Sequence, residues 1–125
     1  MAATILLVDD NSRVRHEVAL QLQMLGFDVV EAADGLKALV LARDAQFAGV
    51  VMDQRMPLMD GLTLSRNLRQ LGGYGQVPLV LLTTEQLVAV RSEATAAGLS
   101  AVVAKPVAAA ELAAALQPAS GHAAA

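Results

Sequence analysis

Five polar residues close apolar runs along the chain: Asp9 and Asp10 follow Thr4–Val8, Asp53 follows Gly49–Met52, Thr83 follows Val77–Leu82, and Lys105 follows Ala101–Ala104. Three carboxylates, a hydroxyl and an ammonium brought together have the makings of a site for phosphate chemistry. Clustered carboxylates repel one another, and a hard divalent cation that keeps several waters relieves the repulsion, which suits Mg²⁺. Such a cation also neutralises an incoming phosphate. Lys105 adds a point charge and Thr83 a hydroxyl donor for phosphoryl oxygens. Asp53, between them, is then placed to attack phosphorus as a nucleophile. Each residue alone reads as a solvated loop side chain. Their shared position at run ends is what points to a site.

The elements that position these residues follow from periodicity. Thr4–Val8 is apolar without polar alternation, as a strand buried on both faces should be. Ser12–Leu25 switches to helical spacing, with Val14, Val18, Leu22 and Leu25 on one stripe and Gly26 as its stop. Asp28–Ala32 is a second strand, and Asp34-Gly35 turns the chain into a helix over Leu36–Ala45, with Leu36, Leu39 and Val40 at helical spacing. Gly49–Met52 is the third strand. A loop punctuated by Pro57 and Asp60-Gly61 leads to a helix marked by Leu62, Leu68 and Leu71, which Gly72-Gly73 breaks. Val77–Leu82 is the fourth strand, Gln86–Ala97 a helix closed by Gly98, Ala101–Ala104 the fifth strand, and Ala108–Leu116 a last helix stopped by Pro118.

Five strand-then-helix units predict an α/β fold with a five-stranded parallel sheet and helices on both faces. Right-handed crossovers favour the flavodoxin-like doubly wound (βα)5 arrangement, order 2-1-3-4-5. In that fold sites lie at the carboxyl ends of the strands, where the five polar residues stand. The expected domain is 1–117, with 118–125 a frayed tail.

Composition removes most other functions. The 125 residues suffice for one core and not two; 55% are apolar and 17% charged, which argues against disorder. Net charge is −3, with two lysines and seven arginines scattered, so no basic face for nucleic acid is expected. There is no cysteine, hence no disulfide, thiolate metal site or thiol nucleophile. Aromatics are only Phe27, Phe47 and Tyr74, too few for base stacking. No apolar run is long enough to span a bilayer, and Met1–Val8 lacks the basic start of a signal peptide, so a cytoplasmic domain without membrane insertion is expected. His16 has no second histidine or cysteine beside it and reads as an exposed helix residue. His122 belongs to the tail, Met52 to the core, and Met56 and Met59 to loop packing. The alanine-rich last helix reads as a close-packing element.

The stretches Leu6-Leu7-Val8-Asp9-Asp10, Asp53-Gln54-Arg55-Met56-Pro57-Leu58-Met59-Asp60-Gly61, Leu82-Thr83-Thr84-Glu85 and Lys105-Pro106 together resemble the signature of response-regulator receiver domains. The gaps of 43 residues from Asp10 to Asp53, 30 to Thr83 and 22 to Lys105 fit it. Gly61-Leu62-Thr63-Leu64, the Tyr74 spacing and Leu82-Thr83-Thr84-Glu85 are similar to the stand-alone chemotaxis type, the CheY-like receivers.

The resemblance implies a phosphoacceptor that catalyses its own phosphorylation and dephosphorylation, not a dedicated enzyme. It implies Asp53 as acceptor, taking the group from a phosphohistidine on a sensor histidine kinase or phosphotransfer protein. Mg²⁺ would be held by Asp10 and Asp53 directly, by Asp9 mainly through a coordinated water, and by the backbone carbonyl of Arg55. Thr83 and Lys105, with the Thr84 backbone, would bind the phosphoryl group, and the Lys105–Pro106 bond would be cis. Output would pass to a downstream protein through the face of the fourth helix, fifth strand and fifth helix, with no attached DNA-binding or catalytic domain.

One position departs from the family. Receivers usually carry an aromatic residue three places before the lysine, and here it is Val102; Val107 likewise stands where Phe is common. A valine cannot change exposure as a ring does, so weakened coupling between Asp53 and the output face is expected, and a phosphate sink or relay intermediate is the alternative function. Arg55 and Glu85 flank the expected phosphoryl position and are candidates to pair across its mouth and hinder the hydrolytic water. Two solvated, screened side chains are the plainer expectation. An aspartate-nucleophile phosphatase would need an acid where Arg55 stands, and a flavin carrier a glycine- and hydroxyl-rich loop where Asp9-Asp10-Asn11-Ser12-Arg13 stands.

Overall fold

The computed structural model describes residues 2–119. Five strands alternate with five helices: β1 (Thr4–Val8), α1 (Ser12–Met24), β2 (Asp28–Ala32), α2 (Gly35–Asp44), β3 (Gly49–Asp53), α3 (Gly61–Arg69), β4 (Leu79–Thr83), α4 (Leu87–Ala96), β5 (Ala101–Ala104) and α5 (Ala109–Ala115). All strand pairs are parallel and the order is β2-β1-β3-β4-β5, the doubly wound arrangement the alternation predicts.

The central strands are apolar because each is covered twice. Side chains alternate between two cores. Leu6, Val8, Val50, Met52, Leu79 and Leu81 pack on one side with α2, α3 and α4 residues. Ile5, Leu7, Val51, Val80 and Leu82 pack on the other with Val18, Leu22 and Leu112. Each such fully buried side chain contributes about 1.5–3 kcal/mol, which makes these strands the rigid base of the site.

Helix starts are set by side-chain caps. Asn11, Asp34 and Asp60 accept hydrogen bonds from the backbone N–H of Val14, Lys37 and Thr63. The starts of α4 and α5, at Gln86 and Ala108, have no side-chain cap bond. Such a cap is worth about 1 kcal/mol, so this half of the fold is held more by packing than by local signals.

Some expectations shift. The fourth strand begins at Leu79, not Val77, because Pro78 has no N–H for the ladder, although its carbonyl accepts from Val50. In α2 the buried face is Gly35, Ala38 and Ala42, whereas Leu36 is 61% and Val40 48% exposed. At Gly35 the approach is close: an added Cβ would sit 2.7 Å from Sδ of Met59. In α5 only Leu112 is buried, so the alanines Ala109, Ala110 and Ala114 face outward instead of packing closely. Met52, Met56 and Met59 take the packing positions expected of them. Of the 118–125 segment, Ala119 is buried in the α1–α5 core, and His122 lies outside the described residues.

Tyr74 and Arg69 tie loops to this frame. The Tyr74 hydroxyl donates to the Ala45 carbonyl (2.7 Å) and accepts from the Phe47 N–H (3.0 Å). The Arg69 guanidinium donates to the carbonyls of Gly98, Tyr74 and Val77, closing the end of α4 onto α3.

Candidate functional site

Strand order places β1, β3, β4 and β5 so that their carboxyl ends meet on one edge. Asp9, following β1, is 2% exposed, and Asp10 beside it faces solvent. Oδ1 of Asp9 accepts from the Asn11 N–H (2.9 Å), while Oδ2 is buried without a hydrogen-bond partner. Burial pushes the Asp9 carboxyl above the usual range. The Asn11 N–H opposes this, the Asp53 charge adds to it, Lys105 opposes it, and Asp10 adds again.

Asp53 ends β3 and is buried. Its continuation is pinned from two sides: the Gln54 N–H donates to the Leu82 carbonyl (2.9 Å), and the Gln54 carbonyl accepts from the Gly61 N–H (2.9 Å). That approach requires glycine at 61, because a Cβ there would lie 2.5 Å from the Asp53 carbonyl oxygen and 2.6 Å from Cδ1 of Leu81.

Lys105 follows β5 and enters a cis peptide bond with Pro106. Its backbone N–H donates to the Thr83 carbonyl (2.8 Å), and its ammonium forms an ion pair with Oδ1 of Asp53. Asp9, Asp10 and Asp53 each offer a carboxylate oxygen within 4.8 Å of the others. An orphaned, buried Oδ2 amid three converging carboxylates is the donor chemistry that a hard divalent cation takes, so these residues fit Mg²⁺.

Beside the carboxylates is a cavity of about 190 Å³ lined by Asp53, Gln54, Arg55, Leu82, Thr83, Thr84 and Lys105. The Thr83 side chain is buried, and its hydroxyl donates to Oε1 of Gln54 while accepting from the Glu85 N–H (3.0 Å). Thr84 is exposed at the rim. Nη2 of Arg55 lies 3.0 Å from Oε1 of Glu85, so these two side chains do pair, and together they line a neighbouring cavity of about 540 Å³. Val102 is half-buried, and it lines a separate cavity of about 310 Å³ with Arg91, Ala94, Thr95 and Leu99. His16 stands away from the site, with Nδ1 2.8 Å from Oε1 of Glu31.

Every residue singled out by its place at a run end is therefore on this edge. The residue not singled out is Gln54. Its signal lies in the register: Asp53 pairs with Leu82, so the next two positions, Gln54 and Thr83, stand opposite each other.

Over residues 5–117 the chain matches the response regulator receiver domain family. The transcriptional regulatory protein SrrA of Staphylococcus aureus is 31% identical over 106 residues, which are 85% of this chain and 43% of SrrA. The chain thus spans less than half the length of the curated relatives it matches. Among solved structures, the chemotaxis protein CheY4 of Vibrio cholerae is 34% identical with a TM-score of 0.87, covering 94% of this chain and 98% of that one. The receiver domain of the sensor histidine kinase PA1611 of Pseudomonas aeruginosa, solved with a magnesium ion coordinated in its active site cleft, is 33% identical with a TM-score of 0.86, covering 97% of this chain and 99% of that one. The chain belongs to the response regulator receiver domain family and is a receiver of the two-component type.

Proposed function

We propose that this receiver accepts a phosphoryl group on Asp53 from a phosphohistidine of a sensor histidine kinase or phosphotransfer protein. The observation that carries the reading is the buried Asp53 carboxylate, in ion-pair contact with Lys105 and within reach of Asp9 and Asp10. Asp9, Asp10, Asp53 and the backbone carbonyl of Arg55 are the ligands we assign to Mg²⁺. When bound, Mg²⁺ supplies charge neutralisation for the acidic cluster and for the phosphoryl oxygens.

A carboxylate oxygen of Asp53 forms the bond to phosphorus as the phosphorus–nitrogen bond of the donor breaks and the imidazole leaves with the electron pair. Lys105 then pairs with the phosphoryl oxygens, and the Thr83 hydroxyl and Thr84 N–H donate to them. Attack by water on phosphorus returns inorganic phosphate and free Asp53. The chain thus promotes both its phosphorylation and its dephosphorylation, and Arg55 and Glu85 pair where that water must approach.

Signalling passes to a protein partner through the face of α4, β5 and α5. The likeness to CheY4 supports a chemotaxis role, and a cytoplasmic location belongs to the same reading. Intact-mass spectrometry after incubation with acetyl phosphate and Mg²⁺ tests the proposal. One phosphoryl group is expected on the wild type and none on Asp53→Ala or in the metal-free control. No addition to folded wild type overturns it.

A further inference from the structure

We propose that Gln54 is a positioning residue that holds the Thr83 hydroxyl away from Asp53 and so opposes its turn toward a phosphoryl group. This rests on the assignment of Asp53 and Thr83 made above.

A threonine hydroxyl has one proton to give. In the unphosphorylated chain that proton goes to Oε1 of Gln54, and the oxygen accepts from the Glu85 N–H (3.0 Å). Thr83 cannot donate to a phosphoryl oxygen on Asp53 while it donates to Gln54. One bond must break before the other forms. Thr83 is 1% exposed, so water competes little for the hydroxyl.

The bond is also well directed. The Gln54 backbone is fixed on both sides, to Leu82 and to Gly61, at 2.9 Å each. The β3–β4 register sets its side chain opposite Thr83. Among the described residues, the Gln54 side chain makes no other hydrogen bond. Its amide is therefore committed to Thr83, and its removal frees the hydroxyl without stranding a third group.

The experiment is a beryllofluoride titration in Mg²⁺, with backbone and Thr83 methyl NMR as the readout. It compares the wild type with Gln54→Met, Thr83→Val, the double variant and Asp53→Asn. Gln54→Met keeps the side chain's length and removes the acceptor. It is expected to tighten beryllofluoride binding about 2- to 10-fold, the worth of one hydrogen bond, and to have no effect in the Thr83→Val background. In ligand-free protein it is expected to shift the Thr83 methyl resonance.

Unchanged binding by Gln54→Met overturns the proposal, as does an equal gain in the Thr83→Val background. A wild type that binds no beryllofluoride, or binds it equally well as Asp53→Asn, fails in a different way: it removes the phosphoacceptor reading and this proposal with it. The ligand-free Thr83 shift then reports whether the contact itself exists.

Discussion

Oδ2 of Asp9 lies 3.8 Å from Nζ of Lys105, too far for a hydrogen bond, while the same ammonium is in contact with Asp53. One cation therefore serves two buried carboxylates, with a third, Asp10, beside them. Negative charge at this edge is under-compensated by the chain's own residues, which is the condition that makes a divalent cation welcome.

Removing part of that charge is expected to stabilise the metal-free protein. Asp9→Asn keeps the acceptor for the Asn11 N–H and removes a carboxylate that burial disfavours. Its melting temperature without Mg²⁺ should exceed the wild type's by about 3–5 °C, corresponding to about 1 kcal/mol. The further rise on adding Mg²⁺ should shrink. Thermal unfolding with and without the metal checks both. A metal-free melting point below that of the wild type would contradict the charge argument.

The Arg55–Glu85 pair is mostly exposed and should matter more to the phosphoryl lifetime than to folding. Its side chains are 73% and 37% accessible, so Arg55→Ala should change stability by less than about 1 kcal/mol. Opening the mouth should speed loss of the phosphoryl group up to about 5-fold, the kinetic equivalent of a pair of that strength. The decay of phosphorylated protein, followed by intact mass, is the measurement. An unchanged rate would return both residues to the role of solvated side chains.

Glu31 sets an acid limit at the flank of the site, where its partner Arg15 also donates to the Asp9 carbonyl (2.8 Å). Burial raises the Glu31 pKa, but hydrogen bonds from Arg15 and His16, each 2.8 Å, outweigh this and hold it below its ordinary 4.5. A depressed carboxylate contributes stability above its unfolded pKa and loses that contribution as pH falls through the folded value. Glu31→Gln should therefore cost up to about 1 kcal/mol at neutral pH. Below the folded value its stability should converge with the wild type's. Urea unfolding across the acid range tests the sign. A deficit that persists or grows on acidification contradicts it.

Tyr74 is a buried staple rather than a reactive group. Tyr74→Phe would leave the Phe47 N–H and the Ala45 carbonyl without their present partner, at a cost of about 1–3 kcal/mol. Chemical denaturation should show a lower midpoint with an unchanged slope. A midpoint equal to the wild type's would mean that water replaces the hydroxyl freely.

Much of this arrangement is legible in the residues because parallel strands covered on both faces need unbroken apolar runs. Val50–Met52 and Leu79–Leu82 are such runs, and the polar residues that end them fall on the functional edge. Packing choices were less visible. The face of α2 turned inward carries Gly35, Ala38 and Ala42, not its larger apolar residues, and at Gly35 it is Met59 that occupies the space a side chain would take. The role of Arg69 depends on carbonyls of Tyr74, Val77 and Gly98, which come together only in the folded chain. Gln54 was hidden for a related reason: its partner Thr83 is a neighbour only once the β3–β4 register is known.

The most direct test is to locate the phosphoryl group itself. After reaction with acetyl phosphate and Mg²⁺, borohydride reduction converts an aspartyl phosphate to homoserine, and peptide mass spectrometry finds the changed residue. The change is expected at Asp53 and at no other carboxylate. Homoserine at Asp9 or Asp10 with Asp53 intact, or at none of the three in folded protein, would contradict it.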